Sequence, residues 1–507
     1  RSHMRPKSNA VKMDEYFRMP ASSLKAYFGH VVEGQPKEYR TPFYSGMSPT
    51  EVLAKWNPTL RAIEHQWPSL LAFEDDLAKK VGPLSVMKPL KERISDIEAY
   101  YEGVATDQTS LSRSSIAAVL KEWNHVRGMM PRSLQSTVEF MKKSTNSGNP
   151  FFTKRKLVTQ LTFPSHINVT EHGVVQSLPA GQWKSVAILG WRGQEGGPEL
   201  SDVKQRVVWM FPFAINAEEL TVYQPLIEQA QRYQLVPAWI SLDSVDEKIT
   251  RLFDTKGTQD LIVCTDFSKF DQHFGPACQE AAHQILLGLL SKVPAVKWLR
   301  DVFPIKYTIP MMYNYGTIFT GHHGMGSGSG GTNADETLVH RALQYEAAQS
   351  VGAVLNPHSQ CLGDDGIISW PGITIEHVVN SYTKHGLEMN ATKQSVSTDD
   401  CTYLRRWHHK DYRAGGVCVG VYATNRAIGR LCEQERFYSG WGPEMVALRQ
   451  LSIIENCKHH PLREEFAQFC MEGDLYRLGL DLPGFLLNLE DIVQKSIETI
   501  PDFMSYS

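Results

Sequence analysis

Apolar residues recur at helical spacing through the first third of the chain. Leu53, Trp56, Leu60, Ile63 and Trp67 fall on one face behind Ser48-Pro49-Thr50-Glu51, a run that suits a helix start. Residues 110–129 predict a second helical stretch. The texture changes from Phe151 to Pro212, where aromatic, β-branched and Gly-rich stretches alternate with basic residues. Alternation across Arg206 to Trp209 predicts a strand carrying Lys204 and Arg206 on the same side. Gly193, Gly196 and Gly197 lack the Gly-Lys-Ser/Thr of a phosphate loop and read as a flexible loop.

Leu261 to Thr265 is a short apolar, β-branched run that predicts a buried strand. Helices are predicted over 279–290 and 332–349. His358 to Trp370 reads as a hairpin turning at Gly363-Asp364, and 375–386 as a helix closed by Gly386. The last hundred residues are predicted mainly helical. No internal repeat is visible. This order points to an α+β fold with an antiparallel sheet.

Composition narrows the picture only a little. A chain of 507 residues is long enough for several domains or subdomains, and 42% hydrophobic with 21% charged residues is ordinary for a globular protein. Lys plus Arg (52) nearly balances Asp plus Glu (55), so a polyanionic partner must be held by local basic patches. The eight cysteines form no C-x-x-C pair, which suits a reduced, intracellular setting with buried thiols. No membrane span or signal peptide is predicted, and Arg1-Ser2-His3-Met4 reads as an expression-tag remnant.

The chemistry gathers around carboxylates. Asp364 and Asp365 sit side by side in Cys361-Leu362-Gly363-Asp364-Asp365-Gly366, where a multivalent cation can offset their repulsion. Alone, the pair also fits a solvated turn. About a hundred residues upstream, Asp266 ends the predicted strand at 261–265. Mg²⁺ takes hard oxygen ligands, commonly one or two carboxylates plus substrate phosphates. Two such ions clamp the attacking and leaving oxygens of an in-line displacement. Asp271, five residues after Asp266, suits either a hydrogen bond from a ribose hydroxyl or a helix N-terminal acid.

Between the acidic segments lies Gly324-Met325-Gly326-Ser327-Gly328-Ser329-Gly330-Gly331-Thr332-Asn333. It runs straight into a helix with a capping-box-like Thr332 and Asp335, so it reads as a backbone surface for a nucleotide or strand, not a linker. Lys204 and Arg206 suit triphosphate oxygens, Arg405-Arg406-Trp407 a nucleic-acid strand, and Lys393 proton donation to a leaving pyrophosphate. Each basic patch alone also fits a solvated face. His322-His323, His408-His409 and His459-His460 lack partners at zinc spacing.

Taken together these segments resemble the viral RNA-dependent RNA polymerases, in the family's motif order. Asp266-x4-Asp271 resembles motif A, Gly324 to Thr332 motif B, and Gly363-Asp364-Asp365 motif C. Lys393 falls at the lysine of motif D. Tyr403-Leu404-Arg405-Arg406-Trp407 is similar to motif E, and Lys204 to Val208 to the end of motif F. The resemblance covers roughly residues 184–410 and is nearest to double-stranded RNA virus enzymes of picobirnavirus type, then partitivirus type.

It implies a closed right hand: a helical N-terminal region (5–150) bridging fingers and thumb, fingers (151–255), a palm (256–410) with a fingers insertion near 275–315, and a thumb (411–507). It implies two Mg²⁺ or Mn²⁺ ions on Asp266 and Asp364, with Asp365 adjacent and less essential. Lys393 is the implied catalytic lysine. Lys204, Arg206, Asp271, Ser327, Thr332 and Asn333 are the implied nucleotide-binding residues, and Gly328, Arg405, Arg406 and Trp407 the RNA-binding ones. Glu336 stands where many single-stranded-RNA virus relatives carry an asparagine, with Asn333 and Asp335 nearby, and which of these completes the ribose-sensing network stays open. The implied partners are RNA template and product, nucleoside triphosphates and a viral capsid protein, for a monomer with no membrane association, in the virion interior and host cytoplasm. A reverse transcriptase shares this palm chemistry, but usually carries a bulky aromatic at the place of Asp271 and Tyr-x-Asp-Asp at the turn. A non-enzymatic, capsid-associated RNA-binding protein is the alternative of another class.

Overall fold

The computed structural model describes residues 6–35, 37–435 and 440–496, so residues 1–4 and the end of the expected thumb lie outside the described residues. The chain forms two compact units. The larger takes the chain up to Glu33, Pro89–Gly190 and Val207–Cys401; the smaller takes Gly34–Lys88, Trp191–Arg206 and the chain from Thr402. The helical N-terminal third expected as one region is therefore shared between the units.

At the centre of the larger unit is a four-stranded antiparallel sheet in the order Gln360–Leu362, Asp365–Ile368, Ile262–Thr265, Ser395–Ser397. Its inward side chains, Val263 and Ile368, join one apolar core with Ile285, Leu286, Leu338, Leu343 and Tyr382 from the neighbouring helices. The helix Thr332–Ser350 is buried nearly all round, including Asp335, Glu336, His340, Arg341 and Gln344. Polar groups in such a place must find partners or cost stability, and their partners turn out to organise the site.

A second, five-stranded sheet runs Lys7–Ala10, Thr317–Thr320, Met311–Asn314, Ala187–Gln194, Lys204–Met210. On Lys204–Met210, Val207 and Trp209 are buried while Lys204 and Arg206 are exposed, as the alternation predicts. Gly193 departs from its expectation. It lies within the strand Ala187–Gln194, where an added Cβ would collide with the Leu84 carbonyl, and a Cβ on Gly196 would collide with that of Asp202. Both glycines permit close backbone packing, with Gly193 inside the strand and Gly196 and Gly197 in the connecting segment that follows it.

The smaller unit is mainly helical, around Phe43, Trp56, Leu60, Leu71, Trp407, Ile428 and Phe466. The Ser48 hydroxyl accepts from the Glu51 amide and Pro49 opens the helix Pro49–Arg61, as read from the sequence. The apolar spacing that ran on to Trp67 does not continue as one helix. The first helix ends at Arg61, and Pro68 opens a new one, Pro68–Ala78, at a first-turn position that suits proline. All eight cysteines are free thiols, seven of them buried. Among the described residues no helix is long and apolar enough to cross a membrane.

Candidate active site

The acidic pair sits at the tip of a tight hairpin. Leu362 pairs with Asp365, leaving Gly363-Asp364 as the turn. Gly363 has φ +58°, a left-handed conformation that favours glycine. The next pair across, Gly366 with Thr265, lays the hairpin beside Ile262–Thr265. Asp266 therefore leaves its strand at the sheet end where Asp364 and Asp365 turn. Its peptide is held on both sides by Gln394, whose Oε1 accepts from the Asp266 amide (2.6 Å) and whose Nε2 donates to the Asp266 carbonyl (2.9 Å). This clamp seats the exposed Lys393 one residue away.

The helix Thr332–Ser350 grips the hairpin with one face. Thr337 Oγ1 accepts from the Gly363 amide (2.9 Å). His340 Nδ1 donates to the Gly363 carbonyl (2.8 Å), which can only accept. Gln344 Nε2 donates to the carbonyls of Gln360 (3.0 Å) and Ile367 (3.3 Å). Arg341 donates to the Ser359 carbonyl (2.7 Å) and forms a forked pair with Glu122. The spacing 337, 340, 341, 344 is that of a single helix face. Burial pulls the His340 imidazole down to about 4, so it stays neutral. Gly366 makes the close approach possible, since a Cβ there would lie 2.7 Å from the His340 ring.

One turn earlier, Glu336 faces Asp271. Its carboxyl is within hydrogen-bonding reach of Asp271 and feels the charge of Asp271, Asp364 and Asp335. Burial first, then those neighbours, push it well above the usual carboxylate range. The charged form of Glu336 is thus disfavoured beside Asp271. Asp335 faces elsewhere. It pairs with Lys306 (3.0 Å) and accepts from the hydroxyls of Tyr223 (2.7 Å) and Tyr307 (2.7 Å), with Lys306 and Asp335 both 0% exposed. The capping box expected of Thr332 and Asp335 is absent. Gly331 is the N-cap without a side-chain bond, and Thr332 Oγ1 donates back to the Gly326 (3.3 Å) and Ser329 (3.2 Å) carbonyls.

The Gly-rich segment is packed onto the protein's own backbone. A Cβ on Gly324 would strike the Asp271 carbonyl, one on Gly328 the Trp209 carbonyl, and one on Gly331 the Tyr223 ring. Buried Glu219 holds the segment from below, accepting from the Ser329 hydroxyl and the Gly330 amide (3.1 Å). Ser327 is half-buried and donates to the Val207 carbonyl (3.3 Å). Asn333 Oδ1 accepts from Trp239 Nε1 (2.7 Å).

In the smaller unit, Leu404 (φ +53°) and Arg405 (φ +61°) make the turn between strands Asp400–Tyr403 and Arg406–His409. Arg405 shares the field of Arg206, Arg426 and Arg430 around Glu195, which pairs with Arg426 (2.7 Å). Arg206 Nε also donates to Gln194 Oε1 (3.1 Å). Trp407 corrects the sequence reading. It is 1% exposed, donates to Ser69 Oγ (3.0 Å) and packs edge-on to Trp67, so its face is not available to stack on a base.

Carboxylate oxygens at one sheet end are the donor set Mg²⁺ or Mn²⁺ prefers. Among the described residues no three His, Cys, Asp or Glu side chains form a ready-made cage. The donor set fits an ion held by one or two carboxylates and completed by substrate phosphates.

Gln394, Thr337, His340, Glu219 and Lys306 were not read as site residues from the sequence. Only their contacts, most across long separations, give them a role. For His340 and Gln344 the period from Thr337 was the available signal.

The comparisons with known proteins agree with this geometry. Residues 86–417 match the family model described as viral RNA-dependent RNA polymerase. A potential RNA-dependent RNA polymerase of human picobirnavirus (strain Human/Thailand/Hy005102/-) is 58% identical over 495 residues, covering 97% of this chain and 93% of that protein. The crystal structure of the RNA-dependent RNA polymerase of a human picobirnavirus superposes with TM-score 0.94 at 57% identity, covering 96% of this chain and 94% of that one. Its insertion loop deletion mutant gives 0.95 at 57% identity, covering 97% and 98%. Motif order, the acidic hairpin and near full-length identity converge, and the chain belongs to the viral RNA-dependent RNA polymerases, of the picobirnavirus kind.

Proposed function

We propose that the chain replicates and transcribes a double-stranded RNA genome by two-metal nucleotidyl transfer. The observation that carries this reading is the register that ends Ile262–Thr265 at Asp266 beside the Asp364-Asp365 turn. Asp266 and Asp364 would hold Mg²⁺ or Mn²⁺, with Asp365 alongside. The ions when bound would supply charge neutralisation for the triphosphate and acidify the 3′-hydroxyl of the growing RNA. Lys204 and Arg206 orient the triphosphate, and Lys393, seated by the Gln394 clamp, delivers a proton to the departing pyrophosphate. Asp271 accepts from the ribose 2′-hydroxyl while neutral Glu336 fixes its orientation. Ser327, Thr332, Asn333 and Gly328 shape the backbone wall against nucleotide and template, and Arg405 and Arg406 face the product strand.

The same reading assigns fingers to 151–255, palm to 256–410 and thumb to 411–507 of a right hand. It places a monomer in the virion interior and host cytoplasm, with a capsid protein as neighbour. The test is ribonucleotide incorporation on single- and double-stranded RNA templates with and without a chelator. Incorporation that stops on chelation and returns with Mg²⁺ or Mn²⁺ is expected; incorporation indifferent to chelation contradicts the two-metal reading.

A further inference from the structure

Away from the acidic hairpin, the larger unit holds a pocket of about 190 Å³. One wall is the helix Leu242–Thr255, which presents Ser244, Lys248 and Arg251 at i, i+4 and i+7 on a single face. The facing wall is Pro357-His358, just before the first strand of the hairpin. Glu247 also lines the pocket, with its side chain exposed to solvent.

Lys248 is the unusual group. Protein surrounds most of its side chain, and burial followed by the repulsion of Arg341 pushes its ammonium down to about 8. Among the described residues it makes no hydrogen bond or ion pair. The carboxylate whose charge offsets it, Glu122, is already committed to the forked pair with Arg341 and to the Tyr345 hydroxyl (2.8 Å). His358 lies in the same positive field of Lys248, Arg251 and Arg341. An unpaired cation in a concave site, beside an arginine and a neutral imidazole donor, is a costly arrangement for the empty protein and a favourable one for an anion.

We propose that this pocket binds a phosphate-type anion, with Lys248 and Arg251 neutralising its charge and Ser244 and His358 donating to its oxygens. The volume lies below the roughly 300 Å³ at which pockets begin to enclose whole organic ligands. The occupant is therefore inorganic phosphate or diphosphate, or the terminal phosphates of a nucleotide whose base stays outside. The pocket also touches the catalytic hairpin. Arg341 holds the Pro357 (3.2 Å) and Ser359 (2.7 Å) carbonyls, and Gln360 Nε2 donates to the Val245 carbonyl (3.2 Å). An anion that draws Lys248 and His358 together tightens the segment leading into Asp364.

Titration calorimetry on the full chain tests this, with diphosphate in chelator and chloride at equal ionic strength as the reference. Saturable one-to-one binding is expected. Lys248→Met and Arg251→Gln should each weaken it roughly tenfold, the loss of one charge-assisted hydrogen bond. Asp364→Asn should leave it unchanged, which separates it from the catalytic centre. A nucleoside triphosphate competing with diphosphate in a Lys248-dependent way identifies the nucleotide as the source; no competition identifies the free ion. Lys248→Met should fold at least as well as the parent, and Arg251→Gln changes an exposed residue, so the test survives failure of either variant. No heat beyond chloride, or equal affinity in both variants, overturns the proposal.

Discussion

Glu336, buried beside Asp271, is the residue expected to support ribose sensing there. Burial beside Asp271 disfavours its charged form, and the protonated acid is expected to donate to Asp271 as an amide would. Glu336→Gln should therefore retain discrimination between ribo- and deoxyribonucleotides. Glu336→Leu should lose it by roughly tenfold or more, the worth of one hydrogen bond to a charged group. Competition between the two nucleotide types on one RNA template reads this directly. Equal discrimination in the leucine variant contradicts the assignment. Residues of this kind were only half legible in the sequence. Asp266, Asp364 and Asp365 stood out because acids at strand ends and turns are chemically conspicuous. Trp407 was misread because tryptophan beside arginines suggests a stacking surface. The period of its strand already put it on the face opposite Arg406, and that face is the core.

At the scale of elements, the helix Thr332–Ser350 is the part that makes the hairpin a fixed scaffold. Its existence was legible from apolar spacing; the use of its polar face was not, because Thr337, His340 and Gln344 meet carbonyls and amides that no local pattern reveals. Thr337→Val should leave the Gly363 amide unpaired, at a cost of about 1–3 kcal/mol. Thr337→Ser should restore both stability and turnover, measured by thermal unfolding and by single-nucleotide incorporation. Gly366→Ala should cost about 1–3 kcal/mol through overpacking against His340, with a matching fall in turnover and little change in apparent nucleotide affinity. The Gly-rich segment carries a comparable lesson. Glycine runs look like linkers in a sequence, but here they let the chain lie against Asp271, Trp209 and Tyr223. The strand Lys7–Ala10 was invisible for the opposite reason: its four residues are all exposed and polar or small, so no alternation marks it.

On the scale of the whole molecule, the fold class and the α+β order of the larger unit followed from the chain, while its division did not. Segments 34–88 and 191–206 join the chain from Thr402 in a separate unit, and nothing local announces such distant partners. Within the larger unit the buried Lys306–Asp335 pair ties the segment before the Gly-rich stretch to the helix after it. Asp335→Asn should destabilise the protein by about 3 kcal/mol, since it leaves the buried Lys306 ammonium with Glu219 as its remaining carboxylate; Lys306→Met combined with Asp335→Leu should recover much of that loss in denaturant unfolding. The two acids of the hairpin are expected to be unequal, with Asp364 indispensable and Asp365 partly dispensable. The most direct measurement compares Asp364→Ala and Asp365→Ala in RNA-templated nucleotide addition with folding checked by circular dichroism. Asp364→Ala should lower the rate by roughly three orders of magnitude or more, the several kcal/mol that a bound metal contributes, while Asp365→Ala keeps measurable activity. Near-parental synthesis by a folded Asp364→Ala protein would contradict this expectation.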